Sequence, residues 1–147
     1  MGKLIGIATR TEKRAQMDVH SSKAVSFNQG VGSDFRGRNK GKRQVTVMTI
    51  EAWEKVCEEI GKNIEWTTRR ANLLVEGVEL EKTEGGIISI GEAQLEITGE
   101  LDPCNRMDEQ FPGLTKVLTP FWRGGVTCRV ISEGDINVGD EVQLITT

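Results

Sequence analysis

Tyrosine is absent from the sequence, histidine occurs once, and cysteine and proline occur three times each in 147 residues. His20 has no second histidine or cysteine at ligand spacing, so we expect no zinc site. The three cysteines are far apart and form no C-x-x-C pair, which indicates reduced thiols instead of a disulfide framework. Aromatic residues make up only 5% of the chain, which disfavours the binding of single-stranded nucleic acid by base stacking.

Long apolar runs are also missing. No stretch of about 18 apolar residues occurs, so we predict neither a membrane-spanning helix nor a membrane partner. The apolar stretch at residues 4–7 is too short for the core of a signal peptide, and we predict that it forms a strand. A cytoplasmic location is therefore the default expectation, and the length fits one domain over residues 1–147.

Charge is plentiful but unevenly placed. Residues 1–50 contain ten lysines and arginines against three acidic residues, whereas residues 51–147 contain nine against nineteen. The net charge of −3 therefore conceals a basic first third, which predicts a positively charged surface. A module that uses this surface to bind nucleic acid or a protein partner is the less favoured interpretation, since only Phe35 adds an aromatic ring to the basic loop.

Short apolar segments punctuated by glycine and proline predict a mainly β fold, a closed or partly closed β-barrel with a few short helices. We predict strands at residues 3–8, 24–29, 44–48, 87–90, 94–98, 126–132 and 141–145. A helix is predicted at 50–60, because Thr49 can cap its start and Gly61 can end it. Its apolar stripe consists of Trp53, Val56, Cys57 and Ile60. A second short helix is predicted at 113–118.

Cys104 is the candidate for chemistry among the three thiols. It follows Pro103 and lies just past the predicted strand 94–98, whose exit we place at Gly99. A thiol there can lie at the rim of a barrel, where positive neighbours such as Arg106 favour a nucleophilic or metal-binding thiolate. The alternative is a small buried hydrophobe, the common fate of a free cysteine. We predict that fate for Cys57 and Cys128.

Three basic segments are candidate anion sites, because arginine forks and glycine-rich backbone both suit phosphate or carboxylate. The first is the loop at residues 30–43, which is not a Walker A motif. The loop contains Arg36, Arg38, Lys40, Lys42 and Arg43, and its alternative is a solvated basic loop. The second segment contains Arg69, Arg70 and Asn72, and its alternative is a surface salt-bridge cluster with Glu65 or Glu76. The third is Arg123 before Gly124 and Gly125, and its alternative is a tight turn into a strand.

These segments occur in an order that resembles the MOSC domain, a family named from the C-terminal domain of the molybdenum cofactor sulfurases, some of which carry a desulfurase region dependent on pyridoxal phosphate. The resemblance runs from about residue 19 to residue 144. No single motif is specific, but the ordered set is. The motifs are Gly32-x-Asp34-x-Arg36-Gly37, Arg43-Gln44-Val45, Glu51-x-Trp53, Arg69-Arg70-Ala71-Asn72-Leu73, Gly77-Val78, Ile90-Gly91-x-Ala93-x-Leu95-Glu96-Ile97-Thr98-Gly99, Pro103-Cys104, Arg123-Gly124-Gly125-Val126 and Gly134-x-Ile136-x-Val138-Gly139-Asp140-x-Val142.

The resemblance implies a MOSC-type β-barrel with a cysteine at a pocket, and Cys104 is the matching position. That cysteine would bind the molybdenum of the pterin cofactor, molybdopterin, or would carry sulfur as a persulfide. The residues matching those that hold the pterin phosphate are Arg69, Arg70, Asn72 and Arg123, with Arg36 as a further candidate.

The resemblance also leaves the activity open. The first interpretation is a module that binds the molybdenum cofactor or carries sulfur, with a cysteine desulfurase or a molybdoenzyme as partner. The alternative is a molybdenum-dependent reductase of N-hydroxylated compounds that takes electrons from an external donor. Larger members have an additional N-terminal barrel region that helps to enclose the cofactor, so we expect that this chain could form a homodimer that covers its pocket.

Overall fold

The computed structural model describes residues 2–39 and 41–146. Within them lie eleven strands, three short α-helices and two 3-10 turns. The strands are β1 Gly2–Thr9, β2 Asp18–His20, β3 Ser22–Ser26, β4 Gly30–Val31, β5 Val45–Thr49, β6 Leu73–Glu76, β7 Ile87–Ile90, β8 Ala93–Glu100, β9 Val126–Ser132, β10 Gly134–Asn137 and β11 Glu141–Ile145. The helices are α1 Ile50–Ile60, α2 Arg106–Gln110 and α3 Leu114–Leu118, and the 3-10 turns are Trp66–Arg69 and Pro120–Trp122.

Seven of the strands form a closed barrel. They follow one another in the order β11-β7-β8-β9-β5-β6-β1, and pairing of β1 with β11 closes the ring. Strands β5 and β6 are parallel, and α1 lies between them in the chain. Strand β2 pairs antiparallel with the C-terminal end of β1. Strands β10, β3 and β4 form a small separate sheet.

Alternating side chains fill the barrel. In β9, Val126, Cys128 and Val130 point inward and are buried, while Arg129 and Ile131 on the other face are exposed. This alternation follows from the pleat, which sends successive side chains to opposite faces of a strand. The predicted packing role of Cys128 is thereby confirmed, and burial raises the pKa of its thiol far above the ordinary value.

A second apolar cluster lies outside the barrel, where α1, α2 and α3 pack together. Helix α1 begins as predicted, with the Thr49 hydroxyl accepting a hydrogen bond from the amide of Ala52 at 3.2 Å. It ends at Gly61, whose φ of 77° is in the left-handed region. Trp53 and Val56 are buried, and Cys57 is half-buried against the same cluster.

The barrel and both predicted helices are confirmed, but several boundaries differ. The strand predicted at 24–29 ends at Ser26, because residues 27–29 form a turn in which the amide of Gln29 donates to the Ser26 hydroxyl. Gly99 does not end a strand. It lies inside β8 where the pairing with β9 shifts register. The sequence predicts no strand at β2, β4, β6 or β10 and no helix at α2, because these segments show no clear alternation or helical periodicity.

In the described parts of the chain, no helix is both long enough and apolar enough to cross a membrane.

Candidate functional site

A cleft of about 380 Å³ opens beside one end of the barrel, between the loop after β1, the basic loop before β5 and the segment between β8 and α2. Eight of its lining side chains are cationic and three are acidic. The cationic ones are Arg10, Lys13, Arg14, Arg36, Arg43, Arg69, Arg70 and Arg106, and the acidic ones are Asp34, Asp102 and Glu109. The cleft therefore attracts anions.

Cys104 lines this cleft and is exposed to solvent. Its backbone carbonyl accepts hydrogen bonds from the amide of Met107 at 2.9 Å and from the Thr115 hydroxyl at 2.8 Å. These two contacts tie the residue to the start of α2 and to α3. Cys104 is thus a thiol on an anchored backbone, which suits a fixed ligand or nucleophile better than a mobile loop would.

Arg69 is hydrogen-bonded to the chain segment that leads from β8 to Cys104. Its Nη2 donates to the carbonyl of Leu101 at 2.7 Å, its Nε donates to the carbonyl of Gly124 at 3.1 Å, and its Nη1 contacts Met107 Sδ at 3.7 Å. The residue is only 4% exposed. Burial first, and then the charge of Arg43, lower the pKa of Arg69 to about 10. Most of its donors serve the protein, so Arg69 both positions the segment and adds positive charge to the cleft.

Asn72 also lines the cleft, yet its side chain is engaged with the backbone of two neighbouring strands. Its Oδ1 accepts from the amide of Thr46 at 3.0 Å, and its Nδ2 donates to the carbonyl of Ala8 at 3.2 Å. The residue is 4% exposed. In this geometry Asn72 joins β1 and β5 beside the cleft, and its predicted contact with a cofactor stays a prediction.

Two further arginines flank an aromatic ring in the cleft. The guanidinium carbons of Arg10 and Arg36 lie 4.8 Å and 5.1 Å from the centre of the Phe35 ring. Burial, followed by repulsion from Arg70 and Arg36, lowers the pKa of Arg10 to about 10, although Asp34 opposes the shift. The predicted residues Arg36, Arg69 and Arg70 therefore converge, and the structure adds Arg10, which the sequence did not single out.

Arg43 interacts electrostatically both with Arg36 and with the thiol of Cys104. Its pKa is lowered by burial and by Arg36, and the nearby Cys104 opposes that shift. The sequence marked Arg43 only as one of several loop charges. The loop itself is fixed by Gln44, whose Nε2 donates to the carbonyls of Phe27 and Gly37 and whose Oε1 accepts from the amide of Val130. Lys40, named in the same loop, lies outside the described residues.

Arg123 does not line the cleft. Its Nη2 pairs with Glu59 of α1 at 2.7 Å, and its Nη1 donates to the carbonyl of Val117 at 3.0 Å. The guanidinium therefore joins α1 to α3, and this geometry does not support its prediction as a phosphate ligand. The alternative of a salt-bridge cluster around Arg69 and Arg70 is also not seen, because the ion pairs among the described residues all lie elsewhere.

A metal site made only of protein side chains is not evident either. Among the described residues, no three His, Cys, Asp or Glu side chains come together at a spacing that could hold a metal ion. A metal that arrives bound to a pterin needs fewer protein ligands, so this observation bears on free metal ions and leaves the role of Cys104 open.

Comparison with solved structures identifies the same architecture in several bacterial proteins. The YuaD protein of Bacillus subtilis aligns with a TM-score of 0.83 at 21% identity, over 100% of this chain and 97% of that one. YiiM of Escherichia coli aligns with a TM-score of 0.73 at 13% identity, over 99% of this chain and 70% of that one. YiiM of Geobacillus stearothermophilus aligns with a TM-score of 0.70 at 20% identity, over 98% and 73%. At these identities the likeness concerns the fold alone.

A comparison with curated protein sequences finds no match. None of the similarities links the chain to sulfurases that depend on pyridoxal phosphate. The sequence model of the MOSC domain, in contrast, matches residues 18–143, which is most of the chain. This chain therefore belongs to the MOSC domain family, whose domains are related to the molybdenum cofactor.

Proposed function

We propose that this domain binds the molybdenum cofactor in the basic cleft, with Cys104 as the protein ligand to molybdenum and the arginines as the phosphate site. The observation that carries the proposal is the exposure of Cys104 in the same cleft as eight cationic side chains. A small-molecule site of this kind needs a concave, preformed pocket with a few convergent polar groups.

The donor set of the cleft fits the phosphate of the cofactor. A phosphate monoester carries about −1.5 to −2 charges at neutral pH, and guanidinium forks bind its oxygens in pairs. Arg10 and Arg36 flank Phe35, so both are held near one another without a carboxylate partner within ion-pair distance in the described residues. These two arginines, with Arg70, would hold the phosphate.

The size and lining of the cleft fit the remainder of the cofactor. Its volume of about 380 Å³ lies within the roughly 300–1,000 Å³ of small-molecule pockets. Phe35 and Leu101 provide apolar surface, while Thr46 and Asp102 provide polar groups along the wall. The pterin, a flat polar ring system, would lie along this wall.

Cys104 fits the role of metal ligand by its chemistry and position. A thiolate is a soft ligand, and Arg43 and Arg69 lie close enough to the thiol to interact with it electrostatically. When bound, the cofactor supplies a redox-active metal. The chain's own residues orient the cofactor, balance its negative charge, and hold the thiol at a fixed position on the cleft wall.

Sulfur transfer is the second candidate function, since it uses the same exposed thiol. The Cys104 thiolate would attack the outer sulfur of a donor persulfide, such as that of a cysteine desulfurase. The donor S–S bond would break, the donor cysteine would leave as a thiolate, and Cys104 would hold the persulfide. The same cationic side chains would stabilise the persulfide anion until an acceptor molybdoenzyme takes the sulfur.

The deciding experiment is elemental analysis for molybdenum on protein produced in a host that makes the cofactor. We expect molybdenum in the unaltered protein and in C57S, because Cys57 belongs to α1, its thiol faces the carbonyl of Ile64, and it does not line the cleft. We expect its loss in C104S, with an unchanged circular dichroism spectrum. Equal molybdenum content in C104S and C57S would overturn the assignment of Cys104 as the ligand.

The two functions of the thiol are separated by mass spectrometry of the same preparations. Sulfur transfer predicts a mass increase of one sulfur atom at Cys104 after incubation with a cysteine desulfurase and cysteine. That increase should disappear in C104S and persist in C57S. Molybdenum retention without any such increase would leave only the role of metal ligand.

A further inference from the structure

The backbone carbonyl of Cys104 is held by two donors that come from different helices. One is the amide of Met107 in α2, at 2.9 Å, and the other is the hydroxyl of Thr115 in α3, at 2.8 Å. A carbonyl oxygen has two lone pairs, so these two hydrogen bonds use its full capacity. The backbone of Cys104 is therefore fixed, while its thiol stays exposed in the cleft.

An acidic side chain fixes the backbone of Thr115 in turn. The amide of Thr115 donates to Oδ1 of Asp108 at 2.9 Å. Asp108 directly follows Met107, so the three hydrogen bonds close a ring that passes through Cys104, α2 and α3. In such a network each hydrogen bond restrains the groups that make the others. The ring therefore limits movement of the Cys104 backbone more than one isolated hydrogen bond would.

The helix that carries Thr115 is anchored in the core. With five residues, α3 is too short to be stable through its own hydrogen bonds. Leu114 and Leu118 are both 0% exposed and belong to the apolar cluster that joins α3 to α1 and α2. Because Leu114 is the direct neighbour of Thr115, the donating hydroxyl projects from a rigid support.

The chain before Cys104 is held as well, but at a greater distance. The carbonyl of Leu101 accepts a hydrogen bond from Arg69 Nη2 at 2.7 Å, and its amide donates to the carbonyl of Gly125 at 2.9 Å. Pro103 then fixes one backbone torsion of the connecting segment. Arg69 thus acts three residues away from the thiol, whereas the Thr115 hydroxyl acts on Cys104 itself.

We propose that Thr115 is a positioning residue for Cys104, and that it acts through the carbonyl of Cys104 and not through contact with a ligand. Thr115 does not line the cleft. The inference rests on the proposed role of Cys104 as the ligand to molybdenum. Once the backbone is fixed, one side-chain torsion decides where the sulfur lies, so the site is largely formed before the metal arrives. Preorganisation of this kind increases affinity, because less order must be created on binding.

Two threonines on the same side of the domain allow a matched test. T115V keeps the β-branched shape and removes the hydroxyl that reaches Cys104. T119V makes the same change one turn later, where the hydroxyl donates to the carbonyl of Thr115 at 2.8 Å and not to Cys104. T115S keeps a hydroxyl at the first position. We expect T115S to restore the behaviour of the unaltered protein.

The first measurement is the mobility of a nitroxide spin label on Cys104 in the cofactor-free full chain. The chain carries C57S, and Cys128 is 0% exposed inside the barrel, so the label attaches to Cys104. We expect T115V to narrow the lines of the electron paramagnetic resonance spectrum, because the released backbone lets the label move faster. T119V and T115S should keep the broader lines.

The second measurement is the rate at which molybdenum leaves the loaded protein during dialysis, followed by elemental analysis. Removal of a residue that supports a metal ligand typically weakens metal binding by 10- to 100-fold. We therefore expect T115V to lose molybdenum about tenfold faster than the unaltered protein, and T119V and T115S to stay within about twofold of it. Thermal unfolding curves verify that all variants are folded at the temperature of dialysis.

Unchanged label mobility in T115V would overturn the positioning role. So would equal molybdenum release from T115V and T119V, or an equally fast release from T115S. A failure of the proposed function is seen separately, because C104S would then keep its molybdenum. In that case the spin-label comparison, which needs no cofactor, still decides whether the Thr115 hydroxyl fixes Cys104.

Discussion

Arg43 illustrates how a cationic side chain in the cleft can lower the stability of the empty protein. Besides burial, the charge of Arg43 contributes to the lowered pKa values of both Arg10 and Arg69. These three cations therefore repel one another in the empty cleft. In the described residues Arg43 takes part in no ion pair. The repulsion is relieved when an anion binds, which is the trade-off between stability and function seen in many sites.

We therefore predict that R43Q melts about 2 °C higher than the unaltered protein at low salt without ligand, from roughly 0.5–1 kcal/mol of relieved repulsion. The same variant should bind phosphate more weakly. Thermal unfolding by circular dichroism checks the first effect, with R38Q, outside the cleft, as the control. A melting temperature of R43Q below that of R38Q would contradict the repulsion.

His20 offers a second measurement at the scale of one residue, because it is the only histidine. Burial and then Lys23 lower the pKa of His20 below its ordinary value, against the opposing effect of Asp18. The folded state therefore binds the proton less tightly than the unfolded state does. The contribution of His20 to stability is present above the unfolded pKa and is lost as the pH falls from there through the lower, folded pKa.

We expect the imidazole to titrate at a lower pH in the folded protein than in the same chain unfolded in urea. Nuclear magnetic resonance of the single histidine follows both titrations. K23Q should raise the folded midpoint, since it removes a positive charge near the ring. A folded midpoint at or above the unfolded one would refute the effect of burial.

At the scale of elements, two glycines allow the free-energy cost of a left-handed backbone to be measured separately from the cost of a steric clash. Gly61, at the end of α1, and Gly125, before β9, have φ values of 77° and 99°. A Cβ added at Gly61 would meet nothing within 4 Å, whereas one at Gly125 would lie 2.2 Å from the carbonyl oxygen of Val47. Only Gly125 is thus required for the close approach of the chain to β5.

We predict that G61A lowers the free energy of unfolding by about 1–2 kcal/mol, the cost of a left-handed alanine. G125A should cost at least about 2 kcal/mol more, because strand pairing between β5 and β9 must shift. Urea unfolding curves for the two variants measure the difference. Equal losses would mean that the backbone beside Val47 moves aside freely.

At the scale of the whole molecule, positive charge is concentrated in the first third of the chain, and five of the ten basic residues there line one cleft. An anion that binds only the folded state stabilises it by about 2.7 kcal/mol when its concentration is a hundred times Kd. We expect inorganic phosphate at such concentrations to raise the melting temperature by about 5–10 °C. Sodium chloride at equal ionic strength is the control, and a shift of the same size there would indicate screening alone.

Much of the fold could be predicted from local patterns. Alternation in residues 126–132 predicts β9, and the combination of Thr49, an apolar stripe and Gly61 predicts α1, because each signal lies within a few neighbouring residues. Strands such as β4 and β10 have only 2 and 4 residues. They exist because a partner strand is present, so no local pattern could reveal them.

The sequence by itself determined the barrel class and the membership of the MOSC family and named Cys104 as the candidate thiol, since periodicity and the order of motifs are properties of the linear chain. Only the tertiary structure decided which arginines meet. Arg10 and Arg69 are 59 positions apart yet line one cleft, while Arg123, beside a glycine pair, turns to Glu59. Arginines have the same charge and shape wherever they occur, so their roles depend on the partners that closure of the barrel brings within reach.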